Sequence, residues 1–195
     1  MSQLKTLLTG VLMPIAWLVR VMGGRIRPLW NFARLNEALK GRVHCTAVVL
    51  GAVTLEGTRQ IEIGRHARLY PGVYLETQGN GRITLGDNVV LSSGVHIVAF
   101  ERVDIGDGAM LGEYTSVRDA NHRLSTNAMR DSGFHIAPVC IGRNVWIGRG
   151  VSVLKGVSIG SNSVIGANAV VTKSVPDNAR AVGIPARAVP LTLSN

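Results

Sequence analysis

A chain of 195 residues with 46% apolar content is long enough to bury one full core. Its formal charge of +9 suits an anionic partner, whether a phosphate-bearing cofactor, an acidic membrane surface or nucleic acid; no patch interleaving aromatic and basic residues favours the last. Two cysteines, Cys45 and Cys140, form no CxxC pair, so neither a disulfide framework nor a zinc site is indicated, and a reducing compartment fits.

Residues 4 to 22 place Leu4, Leu7, Leu8, Val11, Leu12, Ile15, Leu18, Val19 and Met22 at helical spacing, with Lys5 and Arg20 at the ends. The apolar portion is shorter than the ~20 residues that span a bilayer, and Pro14 interrupts it. No small-x-small cleavage site follows, as a signal peptide would require. Two readings stay open. One is a helix packed against the base of the protein or a neighbouring subunit. The other is an interfacial membrane helix within residues 1–30, for which Arg20, Arg25, Arg27 and Arg34, with Trp17 and Trp30, speak, because aromatics and cations collect at headgroup depth. A second short helix is expected from Asn31 to about Lys40, ended by Gly41, so that residues 1–42 form an N-terminal helical segment.

Strand character begins near Val43, with Val48, Leu50, Val53 and Leu55 in alternation. A six-residue phrase then takes over. It appears as Ile63-Gly64 with Leu69, as Leu85-Gly86-Asp87-Asn88-Val89 with Leu91 and Ile97, and as Ile105-Gly106-Asp107 with Leu111 and Val117. Its slips between Leu75 and Leu85, and between Ile97 and Ile105, predict corners with extra residues around 78–81 and 100–102. Between Val117 and Ile141 the phrase stops. The segment RDANHRLSTNAMRDSGFHIAPVC is polar and holds two histidines, and it is expected as a loop inserted over about 118–140, the kind of excursion from a rigid scaffold where function usually sits.

From Ile141 to Pro176 the phrase is most regular, its units opened by Ile141, Ile147, Val153, Ile159, Ile165 and Val171, with Val145, Val151 and Val157 four places on in theirs. Six is the period of neither a helix nor an alternating strand. One short strand and one corner per unit, three units to a coil, returns the chain to its start after about eighteen residues and stacks coils at the ~4.8 Å strand spacing. The fold class is therefore all-β: a solenoid over residues 43–178 whose aliphatic ladders are buried only when coils stack, closed by a tail over 179–195.

The wording of these repeats, IGRNVWIG, GANAVVTKSVP and GIPARAV, together with a histidine-bearing polar loop ahead of the most regular coils, resembles the hexapeptide-repeat acyltransferases. The resemblance is to the galactoside and maltose O-acetyltransferase branch and its surface-polysaccharide relatives, and it covers about residues 61 to 190. It implies a left-handed parallel β-helix, an exception to the usual right-handed crossover, a homotrimer, and acetyl-CoA in the groove between adjacent prisms. It implies no metal and no nucleic acid, and a cytoplasmic setting that includes the inner face of the membrane if the N-terminal helix binds there.

Transfer of an acetyl group from a thioester to a hydroxyl needs a base as the oxygen attacks, and a neutral imidazole with a pKa near ~6.5 suits that task. His122, in DANH, sits where the family places its catalytic histidine; Asp119 or Asn121 would fix its tautomer or hold the acceptor. The family pattern maps Trp146, Gly148, Ala167, Thr172, Lys173 and Arg187 to the cofactor groove. Backbone groups of Gly148 and Ala167 would meet the pantetheine arm, and Lys173 and Arg187 the phosphates. The plainer reading of Trp146 is a cover for an apolar edge, and of the two cations, solvated surface. The sugar acetyltransferases grip their acceptor with an Asn and an Asp whose places here fall near Ser92 and Phe100, so the acceptor differs in its contacts. Ser93, His96 and Glu101 are the candidates for it. His135 shares the His122 loop and is a further candidate, whereas His44 and His66 read as ordinary surface or corner residues.

Four functions remain on this reading: O-acetylation of a sugar or glycan hydroxyl, as in polysaccharide biosynthesis; N-acetylation of an amino sugar nucleotide; a metal-dependent hydratase on the same scaffold, which needs three converging histidines and lacks one five residues before His122; and a trimeric scaffold without chemistry.

Overall fold

The computed structural model describes residues 2–124 and 131–190. From residue 48 onward short strands recur on three faces in turn, and within the coils the strands of each face pair in parallel. The first face holds Val48–Val49, Arg68–Leu69, Val90–Leu91, Met110–Leu111, Trp146–Ile147 and Val164–Ile165. The second holds Thr54–Gly57, Tyr74–Thr77, His96–Ala99, Ser116–Arg118, Ser152–Val153 and Val170–Val171. The third holds Ile61–Ile63, Arg82–Leu85, Arg102–Ile105, Val139–Ile141 and Ser158–Ile159. One strand from each face makes a coil, which is the β-solenoid that the repeats predict.

Register stacks like on like. Leu69, Leu91, Leu111, Ile147 and Ile165 form one inward ladder. Leu75, Ile97, Val117, Val153 and Val171 form a second, and Ile63, Leu85, Ile105, Ile141 and Ile159 a third. All of them are buried, and full burial of such a side chain is worth about 1.5–3 kcal/mol. The corners are fixed locally as well. Asn144, Asn162 and Asn178 adopt left-handed backbone, which asparagine tolerates better than branched residues. Their side chains bond in series, Asn144 to Asn162 at 3.1 Å and Asn162 to Asn178 at 3.3 Å. The extra residues at 78–81 and at Phe100 and Glu101 lie in corners between strands of the second and third faces, whereas Arg102, expected with them, opens the strand Arg102–Ile105.

Three features differ from expectation. The N-terminal segment is one helix, α1, Ser2–Ala38, with Pro14 and Pro28 inside it, rather than two short ones. Among the described residues no helix is long and apolar enough to cross a membrane. In the first coil Val49, and not Val48 or Leu50, points inward, because Val49 pairs with Leu69 of the ladder; a one-residue shift exchanges the two sides of a strand. Last, the closing tail is itself built of strands. Ala179–Gly183 joins the first face beside Val164–Ile165, and Ala186–Pro190 folds back antiparallel to it, covering what would be an open edge.

Candidate active site

The interruption after Val117 is a hairpin. Strand Ala120–His122 pairs antiparallel with Phe134–Ile136, so that Asn121 faces His135 and His122 faces Phe134. It leaves the prism at the corner between the second and third faces, and residues 125–130 lie outside the described residues. At its root Asp119 is fully buried. One carboxylate oxygen accepts the N–H of Phe100 at 2.8 Å, and the other accepts those of Glu101 at 2.7 Å and Arg102 at 2.8 Å. Three amide donors compensate the burial of the charge. The carboxylate considered above as a partner for His122 is therefore engaged with the widened corner of the previous coil, and it anchors the hairpin to that corner.

Aromatic rings continue the anchor outward. Phe100 lies against Phe134 with centroids 4.5 Å apart, and Phe134 against the His122 imidazole at 4.4 Å, both tilted by 41°. His122 is exposed, and no hydrogen bond to its ring nitrogens is recorded among the described residues. Its ring is thus held by packing and leaves both nitrogens for ligands. Asn121 and His135 are exposed beside it. Phe100 and Phe134 escaped the sequence reading as site residues, although Phe100 stands in a flagged corner and Phe134 beside a flagged histidine.

The three acceptor candidates separate. Glu101 is exposed at the hairpin root. His96 lies on the outer side of the second face, stacked on Tyr74 at 4.2 Å with rings 9° from parallel. Tyr74 donates to Glu76 at 2.9 Å, and Gln78 donates to the other Glu76 oxygen at 2.8 Å. Burial, seconded by the Arg118 guanidinium, lowers the His96 pKa from its ordinary 6.5 against an opposing pull from Glu76. Burial and Glu76 raise that of Tyr74. The Tyr74, Glu76 and Arg118 surroundings of His96 carry no repeat signal and emerge only from the register of the second face. Ser93 is at the other end of this face, in the corner that joins it to the first.

That corner also carries the donor candidates Gly148 and Ala167. A β-carbon on Gly148 would lie 2.7 Å from the Ala167 nitrogen, so glycine is what lets the coils approach there. The Gly148 N–H donates to the Ile165 carbonyl at 2.8 Å, and its carbonyl accepts the Thr115 hydroxyl at 3.0 Å. Its N–H is therefore spent within the solenoid rather than turned to a cofactor, while Ala167 is exposed with no recorded partner for its N–H among the described residues. Trp146 projects from the first face, 54% exposed, in register with Met110 and Val164. Arg187 is paired opposite Val182 on the strand that extends that face. Thr172 and Lys173 are exposed on the corner between the second and third faces, the corner from which the hairpin springs. Within one chain, then, Trp146, Ala167 and Arg187 gather at one end of the second face and His122 at the other.

Comparisons with known proteins bear on the fold and the family. Residues 141–173 match the bacterial transferase hexapeptide (six repeats) family. The chain is 35% identical over 127 residues to the galactoside O-acetyltransferase of Escherichia coli, covering 65% of this chain and 62% of that protein. It is also 35% identical to the nodulation protein L of Rhizobium meliloti over 127 residues, covering 65% of this chain and 68% of that one. It spans 55–68% of the lengths of the curated relatives that it matches. Among solved structures, the N-acyltransferase AntD of Bacillus cereus, in complex with dTDP-4-amino-4,6-dideoxyglucose and coenzyme A, superposes with a TM-score of 0.70 at 22% identity, covering 80% of this chain and 88% of that one. This last likeness concerns the fold.

Proposed function

This chain belongs to the hexapeptide-repeat transferases, and from that premise we propose that it is an acetyl-CoA-dependent O-acetyltransferase acting on a hydroxyl of a sugar or glycan, such as a polysaccharide or lipopolysaccharide precursor. The observation that carries the reading is the His122 imidazole. It is exposed, fixed by a ring contact on a hairpin anchored through Asp119, and unengaged at both nitrogens among the described residues. The donor supplies an acyl carbon activated as a thioester. His122 takes the proton of the acceptor hydroxyl as its oxygen bonds to that carbon, and returns the proton to the sulfur as the carbon–sulfur bond breaks.

The remaining residues divide the work. Trp146 and the Ala167 N–H line the approach of the donor; Arg187 meets its phosphates from that side, and Lys173, on the hairpin side, meets them from the neighbouring subunit. Asn121, His135, Glu101 and His96 are placed for the acceptor. Because His122 and the Trp146–Ala167–Arg187 group stand at opposite ends of one face, we assign each complete site to two neighbouring subunits of a homotrimer, one giving the hairpin and the other the donor groove. The two cysteines are free, which suits the reducing cytoplasm. N-acetylation of an amino sugar nucleotide is the second reading, favoured by the fold shared with AntD.

Replacing His122 by Ala should lower acetyl transfer by about a hundredfold or more with the assembly unchanged in size; transfer at the unmodified rate removes His122 from its role. A panel of sugars and amino sugar nucleotides with labelled acetyl-CoA separates the two readings by whether the product is an ester, labile in mild alkali, or an amide.

A further inference from the structure

Among the described side chains of this region, those at the end of helix α1 are the ones that pack on the solenoid. Phe32, Leu35 and Leu39, at or just past its C-terminal end, pack on the core cluster. Ahead of them Leu12, Met13, Trp17, Ile26, Leu29 and Trp30 are each more than half exposed. So many large apolar side chains along one free-standing element are more than scattered surface residues.

The sequence of this stretch is patterned. Leu4, Leu8, Val11, Ile15, Leu18, Met22, Ile26 and Leu29 follow each other at intervals of three or four, the spacing of one helix side. Arg20, Arg27 and Arg34 recur every seventh residue, which in a helix is also nearly one line. Lys5 and Arg25 add further positive charge, and the first acidic residue of the whole chain is Glu37. Residues 2–31 are helical over roughly 45 Å, and the sequence spacing sets an apolar line and a basic line at different angles around that axis.

We propose that α1 is a docking element that lies in the headgroup region of an anionic lipid bilayer, its leucine-rich side in the acyl boundary and its arginines on lipid phosphates. The choice of a membrane over a second copy of the chain rests on charge. Helices so basic, with no acidic residue before Glu37, repel one another side by side, whereas an anionic surface attracts every one of them. Trp17 and Trp30 are the residue type that favours that depth. A cyclic assembly would present one such helix per subunit on the same side, so that several weak contacts act together. The inference concerns where the enzyme works and is independent of the reaction proposed above.

The test is sedimentation of the full chain with vesicles of phosphatidylcholine alone and with vesicles that also contain phosphatidylglycerol. Binding should be at least about tenfold tighter to the anionic vesicles and weaken with added salt. The triple variant Arg20→Gln, Arg27→Gln, Arg34→Gln should lose about a hundredfold in affinity, and Trp17→Ser with Trp30→Ser should weaken binding to both vesicle types. Unchanged thermal unfolding in each variant would show that the solenoid is intact. Equal binding to the two vesicle types, or undiminished binding by the triple variant, overturns the proposal. So does an absence of vesicle binding accompanied by a smaller assembly in the tryptophan variant, which would give the helix to a second copy.

Discussion

Between Ile141 and Val171 the aliphatic that opens each unit is continued by its like in the next coil, Ile141 by Ile159, Ile147 by Ile165 and Val153 by Val171. Across the hairpin of Ala120–His122 and Phe134–Ile136 nothing repeats, and it is held by a buried carboxylate at its root and a row of three rings along its side. The first region is stable because many equivalent contacts share the load. The second holds its position through a few contacts that have no substitute, and the imidazole is in the second. A rigid repeat can thus carry a site without giving up its period, provided that the departure is tied back to the coil beneath it.

Removing a rung and removing a tie should therefore look different. Ile147→Ala opens a cavity in a ladder and should cost about 2–5 kcal/mol of stability, read from denaturant unfolding, with kcat unchanged wherever the protein remains folded. Asp119→Ala leaves the amides of Phe100, Glu101 and Arg102 without an acceptor. It should cost about 3 kcal/mol and also lower kcat, since the hairpin loses its anchor; a loss of kcat without loss of stability would mean that the carboxylate serves His122 directly. Phe134→Ala removes two ring contacts worth about 0.5–1.5 kcal/mol each. It should reduce kcat by about tenfold through misplacement of the imidazole, with Phe134→Leu restoring part of the stability but less of the rate.

The smallest effect is one of pH. Burial and Arg118 lower the pKa of His96 from 6.5, so the unfolded chain binds a proton more readily than the folded one. The contribution of His96 is present above pH 6.5 and is lost as pH falls through its folded value. Thermal unfolding of the native chain should accordingly drop more steeply on acidification than that of His96→Gln, and parallel curves would place the acid sensitivity elsewhere.

The ladders were legible in the sequence because their signal is local. An aliphatic every sixth residue can be read without knowing what it touches, and Ile141, Ile147, Val153, Ile159, Ile165 and Val171 are all buried. The first coil was misread at Val48 and Leu50 because the phrase is absent there and only the partner Leu69 identifies Val49 as the inward residue. The break at Val117 was visible, but not what holds the hairpin, since the partners of Asp119 lie 17–19 residues away in sequence, on a neighbouring coil. Tyr74 on His96 and Phe134 on His122 are likewise products of register. The helix boundary was missed because Pro28 falls inside α1, where a proline would ordinarily mark an end.

The proposed division of the site between two subunits has the most direct test. Subunits carrying His122→Ala and subunits carrying Ala167→Trp, each inactive alone, are mixed, dissociated and reassembled. If the hairpin of one protomer serves the donor groove of its neighbour, random reassembly of trimers returns about a quarter of the native activity, because mixed trimers regain one unaltered site. Activity that stays at the level of the separate variants would contradict the account and place imidazole and donor within a single chain.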